Sequence, residues 1–457
     1  MQPTDGSRLT SNQNYRHEPL SHLQKTLLPG ELWQEMLCFL STTDYLSFTN
    51  TNRSFYSMKQ NRRYWDAALL KQCPGIPLDK NSFEQYERYR MVYKNIVANN
   101  YTRANLPYPK NGSSDDLPAA LSTGQKYIAT QNESGFLNWF DINTGKEKGK
   151  RALAWPIGCN RQTSHLLREH NGHLYSYVSY QKGRATASLL QVICPESNQI
   201  LFSDTLYSGP TKNPNNELFK IFNDKIYIRE NNKTIRAYNT ENMNSHEILT
   251  DFSKENTRDI LGFDLAFELV NGLVVERLHI TSSEKDNLII GSLFDVKSKE
   301  IIEEIKTKIF PYTLIKMHNK STYICDMHEK VIKKIDFDFK NKTTKIIELE
   351  GVKPNRNMKF NNNYLFIVEE TTGTMTISDI YTGKRLQRIA NPTALYNGIL
   401  FNTVLDVKED NVTLLNRQIE SEESPSNIEI IYFNNSSKQI INKNPGKPAK
   451  KERCLIQ

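Results

Sequence analysis

Hydrophobic positions recur at two different periods along this chain, and the change between them divides it. Before about residue 100 the apolar residues fall three and four apart. Leu32, Met36, Leu37 and Leu40 share one helical stripe, which Trp33 and Phe39 widen. Pro29 stands where a missing N–H is harmless, in the first turn. A second short helix is expected behind Asp44, with Tyr45, Leu46 and Phe48. A third is expected from near Thr51-Asn52, carrying Phe55, Tyr56 and Met58 before Trp65. A stripe this broad on pieces this short exceeds what so small a bundle can cover by itself. Next, DAALLKQCPGIPLDK reads as a short helix stopped by Pro74-Gly75. Ser82 with Gln85 three residues on forms a capping box, and Tyr86, Tyr89, Tyr93, Ile96 and Val97 carry a helix to about Asn99. Such a helix is roughly 25 Å long.

Residues 102–118 are rich in Pro, Gly, Ser, Asn and Asp and read as a loop or linker. From about 119 to 441 the period becomes two. Seven apolar alternations each run into a polar turn: Gly135–Ile142, Ala187–Ile193, Thr234–Tyr238, Leu288–Val296, Val331–Phe339, Thr374–Ile380 and Ile428–Phe433. Each is expected to be the last strand of its unit. Most have an apolar partner ahead of them, at Tyr127–Ala129, Leu174–Val178, Ile226–Ile228, Tyr323–Cys325, Tyr364–Val368 and Ile399–Phe401. Repeats of roughly 40 to 60 residues, each a small sheet, imply a propeller of about seven blades. Another class of bladed β-repeat is the main rival.

The stretch Leu27–Trp65 resembles an F-box. Leu28-Pro29, Glu31-Leu32, Met36-Leu37, Phe39-Leu40, Asp44-Tyr45-Leu46, Asn52-Arg53, Phe55 and Trp65 fall in register with the family pattern. The resemblance implies docking on a Skp-type adaptor of a cullin-RING ubiquitin ligase, with Leu28, Pro29, Leu32, Met36, Leu37 and Leu40 as the adaptor face. The β-units resemble degenerate WD repeats. Phe140-Asp141, Phe294-Asp295 and Ser378-Asp379 stand where that family has Trp-Asp, and Thr-Gly-Lys turns occur at 144–146 and 382–384. No Trp-Asp occurs in the repeats themselves; Trp65-Asp66 lies at the end of the F-box-like stretch. In F-box proteins of this class a helical segment joins the two parts and spaces a target-binding propeller from the adaptor.

The sequence ends in Cys-Leu-Ile-Gln, which resembles a Cys-a-a-X box with Cys454 as prenyl acceptor and a terminal residue that favours farnesyl. Lys443, Lys447, Lys450, Lys451 and Arg453 precede or flank it, a basic patch of the kind that lets one lipid hold an anionic membrane.

Composition changes this picture little. The chain has 457 residues, a formal net charge of +8 and 38% hydrophobic residues, which fits β-rich structure with polar ends. Half of that net charge lies in the last fifteen residues, so it does not argue for nucleic acid. The six cysteines are scattered without a Cys-x-x-Cys pair, against a zinc ribbon or disulfide scaffold and for a reduced compartment. Residues 1–25 are polar and read as a disordered leader without an apolar signal core. No run of eighteen apolar residues occurs. There is no phosphate-cradling glycine loop, kinase catalytic loop or nucleophile elbow. His165, His170 and His173 lack the acidic or cysteine partners of a metal site and read as loop or strand-edge histidines. The run Glu420–Glu423 reads as a solvated loop. More weakly, it resembles the glutamate-rich secretion patches of translocated bacterial effectors.

The expected architecture is therefore multidomain, α plus all-β. It comprises a leader (1–25), a three-helix F-box (26–66), a helical linker (67–101), a loop (102–118), a β-propeller-like repeat domain (119–441) and a basic lipidated tail (442–457). The expected function is a non-catalytic substrate receptor of a ubiquitin ligase. It needs no cofactor beyond the covalent prenyl group, and it sits on the cytosolic face of a eukaryotic membrane. The combination resembles eukaryotic-like effectors of intracellular bacteria such as Legionella, which would place it in a host cell; a plain eukaryotic F-box protein is the other origin open to it. A membrane-anchored scaffold that sequesters the adaptor or a host protein is the second class. The target is not named by the sequence, and ring-loop residues such as Arg161, Tyr180, Arg258 and Tyr312 are candidates to touch it.

Overall fold

The computed structural model describes residues 42–51, 61–107, 118–132, 135–153, 161–182, 185–208, 219–230, 233–255, 258–284, 288–308, 314–349, 352–354, 358–369, 373–390, 401–408, 410–418 and 427–433. Among the described residues three helices come first: α1 (Thr42–Thr51), α2 (Arg62–Gln72) and α3 (Ser82–Val97). Twenty-eight strands follow among the described residues, in seven four-stranded antiparallel sheets. Six sheets use consecutive strands. These are β2–β5 (Pro118–Thr123, Tyr127–Asn132, Phe136–Asp141, Glu147–Ala152), β6–β9 (Arg161–His170, His173–Lys182, Ala185–Cys194, Gln199–Ser208), β10–β13 (Phe219–Phe222, Lys225–Arg229, Thr234–Asn239, His246–Asp251), β14–β17 (Asp259–Val270, Leu273–Glu284, Leu288–Asp295, Glu300–Lys308), β18–β21 (Leu314–His318, Ser321–Asp326, Val331–Asp338, Thr343–Glu348) and β22–β25 (Met358–Asn361, Tyr364–Val368, Met375–Asp379, Arg385–Ile389). They are blades 1 to 6.

The seventh blade closes the ring. Its first three strands are β26 (Phe401–Val407), β27 (Asn411–Gln418) and β28 (Asn427–Tyr432), and its fourth is β1 (Thr102–Pro107). Thr102 pairs with Tyr432 and Pro107 with Asn427 across that last seam. Strand β1 lies in the stretch read from sequence as a loop. Alternation is weak there, because an outermost strand buries only one face.

First strands of successive blades approach one another: β2 meets β6 and β26, β14 meets β10 and β18, and β22 meets β26. They therefore line the axis, and the fold is a seven-bladed β-propeller. Each of the seven seams has its own apolar cluster. Leu137 and Trp139 meet Leu167 and Leu174 between blades 1 and 2, and Tyr177 and Leu190 meet Ile226 and Tyr238 between blades 2 and 3. Tyr227 and Phe222 meet Phe263 and Leu278 between 3 and 4, and Ile289 meets Ile315 and Ile335 between 4 and 5. Tyr323 and Ile332 meet Leu365 and Met358 between 5 and 6, and Phe366 and Ile377 meet Leu405 and Val412 between 6 and 7. Leu106, Ile428 and Ile430 meet Ile128 and Phe140 at the closing seam.

The apolar alternations found in the sequence are the third strands of the blades, not the last. A fourth strand follows each of β4, β8, β12, β16, β20 and β24, with mostly solvated residues; β5 is exposed at Glu147 and Lys148. In blade 7 the expected partner Ile399–Phe401 overlaps the start of β26, and the true second strand is β27. The aspartates at the Trp-Asp positions cap their own turns. Asp141 accepts from the Asn143 and Thr144 N–H groups, and Asp379 accepts from those of Tyr381 and Thr382.

The helical segment also departs from expectation in detail. The helix read as following Trp65 begins earlier, capped by Asn61, so Trp65 lies inside α2; the expected third helix, with Phe55, Tyr56 and Met58, lies outside the described residues. Asn81 caps α3 by accepting from the Glu84 N–H at 3.3 Å. Ser82 instead donates to the buried Asp66 carboxylate and ties α3 to α2. The expected first helix and the six adaptor-face residues, Leu28 to Leu40, lie outside the described residues, as do Cys454 and the basic patch from Lys443 to Arg453.

Candidate functional site

The helices are seated on the face of the ring where the first strands end, and that junction is where the geometry concentrates. Trp65 and Tyr45 are fully buried, Tyr45 stacks on Tyr64 at 3.6 Å between ring centroids, and Trp65 packs against Phe83 and Tyr86. Burying one such aromatic contributes about 2–3 kcal/mol. Around them Leu69, Leu70 and Ile76 complete a core to which the ring adds Phe267 and Val274 from the β14–β15 hairpin. The Arg63 guanidinium donates to the Gly272 carbonyl at the tip of that hairpin.

A second contact lies on blades 6 and 7. Val92 and Ile96 of α3 enter the apolar seam between them. The Asn95 amide donates to the Phe433 carbonyl at 2.6 Å, just past the end of β28. Asn363, in the hairpin of blade 6, donates to the Gln72 carbonyl at 2.6 Å and to the Tyr89 hydroxyl at 2.7 Å. Burial raises the Tyr89 hydroxyl well above the usual phenol range, so it stays protonated. The helical unit thus grips blades 4, 6 and 7 at once, which fixes its orientation rather than merely tethering it.

Between α2 and α3 the chain crosses the mouth of the central channel. Gly75 has a φ of +88°, and a Cβ there would stand 3.0 Å from the Ala266 Cβ and 3.2 Å from the Asn319 Cα. Only glycine suits both the backbone angle and that approach. Gly75 and Pro77 roof a cavity of about 370 Å³ whose walls are the ends of the first strands.

Polar contacts between blades ring this channel. The Thr123 N–H donates to the Asp406 carboxylate at 2.7 Å, joining blades 1 and 7. The Ser122 hydroxyl accepts from the Glu169 N–H at 2.8 Å, and the Glu169 carboxylate in turn accepts from the Gln125 and Gly172 N–H groups. The Asn319 amide donates to the Asn362 carbonyl at 2.6 Å, between blades 5 and 6. Sequence reasoning missed these residues, although a signal was present. Asn171-Gly172, Asn223-Asp224, Asn271-Gly272 and Asn319-Lys320 all have positive φ at both positions. This is the two-residue hairpin between first and second strands, recurring blade after blade.

Of the ring residues singled out from sequence, Tyr180 is buried within β7, and Arg258 is held by Glu255 and Glu304. Neither is displayed for a target. Tyr312 and the side chain of Arg161 lie outside the described residues. Among the three histidines, His170 faces Asp224 at 3.3 Å. Among the described residues no group of three His, Cys, Asp or Glu side chains could hold a metal ion.

No family model matches the chain, and no curated protein matches it. Among solved structures, the computationally designed Ika8 protein aligns with 70% of this chain and 96% of its own, at 12% identity and a TM-score of 0.38. BamB from Moraxella catarrhalis aligns with 69% of this chain and 86% of its own, at 11% identity and the same TM-score of 0.38. The seven-bladed assignment rests on the strand order and the seven seams.

Proposed function

We propose that this chain is the substrate-receptor subunit of a Skp-cullin-F-box ubiquitin ligase, held at a membrane by a prenylated Cys454. The observation that carries the reading is the register of the F-box anchors from Leu28-Pro29 to Trp65, the last of which lies in a helical unit packed on a propeller. The adaptor would take the apolar face formed by Leu28, Pro29, Leu32, Met36, Leu37 and Leu40. A rigid seat for the helices supports the reading physically. A receptor must hold its target at a set distance from the ubiquitin-loaded enzyme, and a helix anchored on blades 6 and 7 transmits position where a flexible linker would not.

The chain does no bond chemistry in this scheme. It raises the concentration of target lysines near the transferring enzyme. The helices cover one face of the ring, so the reading assigns the target to the other. In this reading Cys454 carries the lipid, and Lys443, Lys447, Lys450, Lys451 and Arg453 add attraction to anionic headgroups. The resemblance to effectors of intracellular bacteria puts that membrane in a host cell.

The test is reconstitution. A partner captured on the propeller is incubated with purified adaptor, cullin-RING complex, ubiquitin and the charging enzymes. Ubiquitin chains that depend on this protein are expected. Adaptor binding without chains would favour the alternative, a scaffold that sequesters the adaptor.

A further inference from the structure

We propose that the roofed cavity at the channel mouth binds a small phosphate-bearing anion. Five blades each send one permanent cation to its lining: Arg168, Lys220, Lys316, Lys359 and Lys408. Three carboxylates face them, from Glu169, Asp264 and Asp406, so the lining carries a net charge of +2 from these side chains.

The acids have a structural task. Glu169 and Asp406 accept backbone N–H groups that fasten neighbouring blades, and Asp264 pairs with Lys220 at 2.7 Å. Two of the lysines also reach backbone carbonyls. The Lys316 amine donates to the Met358 carbonyl at 3.0 Å, and the Lys220 amine also reaches the Met317 carbonyl at 3.3 Å, two blades away from its own. The Lys220 amine therefore lies toward the axis. Half-buried like-signed charges in a partly covered cavity focus a positive potential.

Size and closure select the class of ligand. A cavity of about 370 Å³ lies in the range of small-molecule sites and is far too small for a nucleic-acid strand. The Gly75–Pro77 segment across its mouth blocks a threaded polymer. Lysines converging as point charges suit a phosphate or diphosphate, which accepts hydrogen bonds from any side. The bound anion would touch the ring and the roof together and so stiffen the seat of the helices. The site is independent of any adaptor.

The probe is pyrophosphate, titrated into the purified full chain at constant ionic strength. Calorimetry is expected to show one site per chain, and the melting temperature is expected to rise with ligand. Lys316→Met with Lys359→Met should weaken binding by about tenfold or more. Lys345→Met with Lys384→Met, on an exposed outer strand and turn, should leave it unchanged. Absence of both heat and melting shift in the unaltered protein overturns the proposal, as does equal weakening by the surface pair. Should the cavity pair fail to fold, lysine acetylation of the unaltered protein decides. Pyrophosphate is expected to protect Lys316 and Lys359 relative to Lys345 and Lys384, and uniform labelling overturns the site.

Discussion

Burial alone would raise the carboxyl of Glu268, yet the His279 imidazole at 3.2 Å and the Lys320 amine at 3.0 Å outweigh it and hold the group down to about 2. Lys320 belongs to the hairpin of blade 5 and Glu268 to β14 of blade 4, so the pair fastens two blades directly beneath the Gly75 roof. A depressed carboxylate stabilises the fold above its unfolded value of about 4.3, and that contribution fades as pH falls toward about 2. Glu268→Gln should therefore cost about 2–3 kcal/mol at pH 7 and little at pH 2. Urea melts at the two values check this; an equal loss at both would contradict the charge assignment. Turn chemistry was the part of this scale most legible in the sequence. The Thr-Gly-Lys turns after Asp141 and Asp379 form as their residues dictate, with Gly145 and Gly383 at positive φ. The partnership of Glu268 with Lys320 was not legible, because fifty-two residues of chain separate them and nothing local records the approach.

Ring closure is an element-scale device. Strand β1 completes a sheet whose other strands lie some three hundred residues later, and its Arg103 reaches the buried Glu429 of β28 at 3.1 Å. Burial pushes the Glu429 carboxyl up, and Arg103 opposes that rise. Arg103→Met should thus destabilise the protein by about 3 kcal/mol at neutral pH. The loss should shrink on acidification, since a protonated Glu429 needs no counter-charge. Thermal melts across pH 5 to 8 measure it, and a pH-independent loss would mean that packing, not charge, is what Arg103 supplies. The third strands β4, β8, β12, β16, β20, β24 and β28 were legible because both their faces are covered and they read as apolar runs. The first strands were not. They face a polar channel with residues such as Lys220, Lys316 and Asp406, and β10 and β22 are only four residues long. Fourth strands were lost for the reason that hid β1, one solvated face.

At the scale of the whole molecule, seven clusters in series and one strand that joins the ends make the ring a closed unit. The helical unit, which takes in Tyr45 and Trp65 of the F-box-like stretch, is seated on three of its blades. The lipid reading is tested at this scale. Cys454→Ser should move the protein from the membrane fraction to the cytosol of a cell that prenylates it. An unchanged distribution would remove the tail as the anchor. The blade repeat was legible in the sequence because seven apolar alternations recur at similar spacing. The clamp of α2 and α3 on blades 4, 6 and 7 was not, since Tyr89, Asn95 and Ile96 read only as positions on an amphipathic helix.

The most direct test of the account is binding of a purified Skp-type adaptor to the full chain, beside the variant Leu28→Ala with Pro29→Ala, measured by calorimetry. The account predicts a one-to-one complex with the unaltered protein and none with the variant, whose circular dichroism keeps the β-signal of the intact ring. Equal binding by both proteins, or none by either, would contradict it.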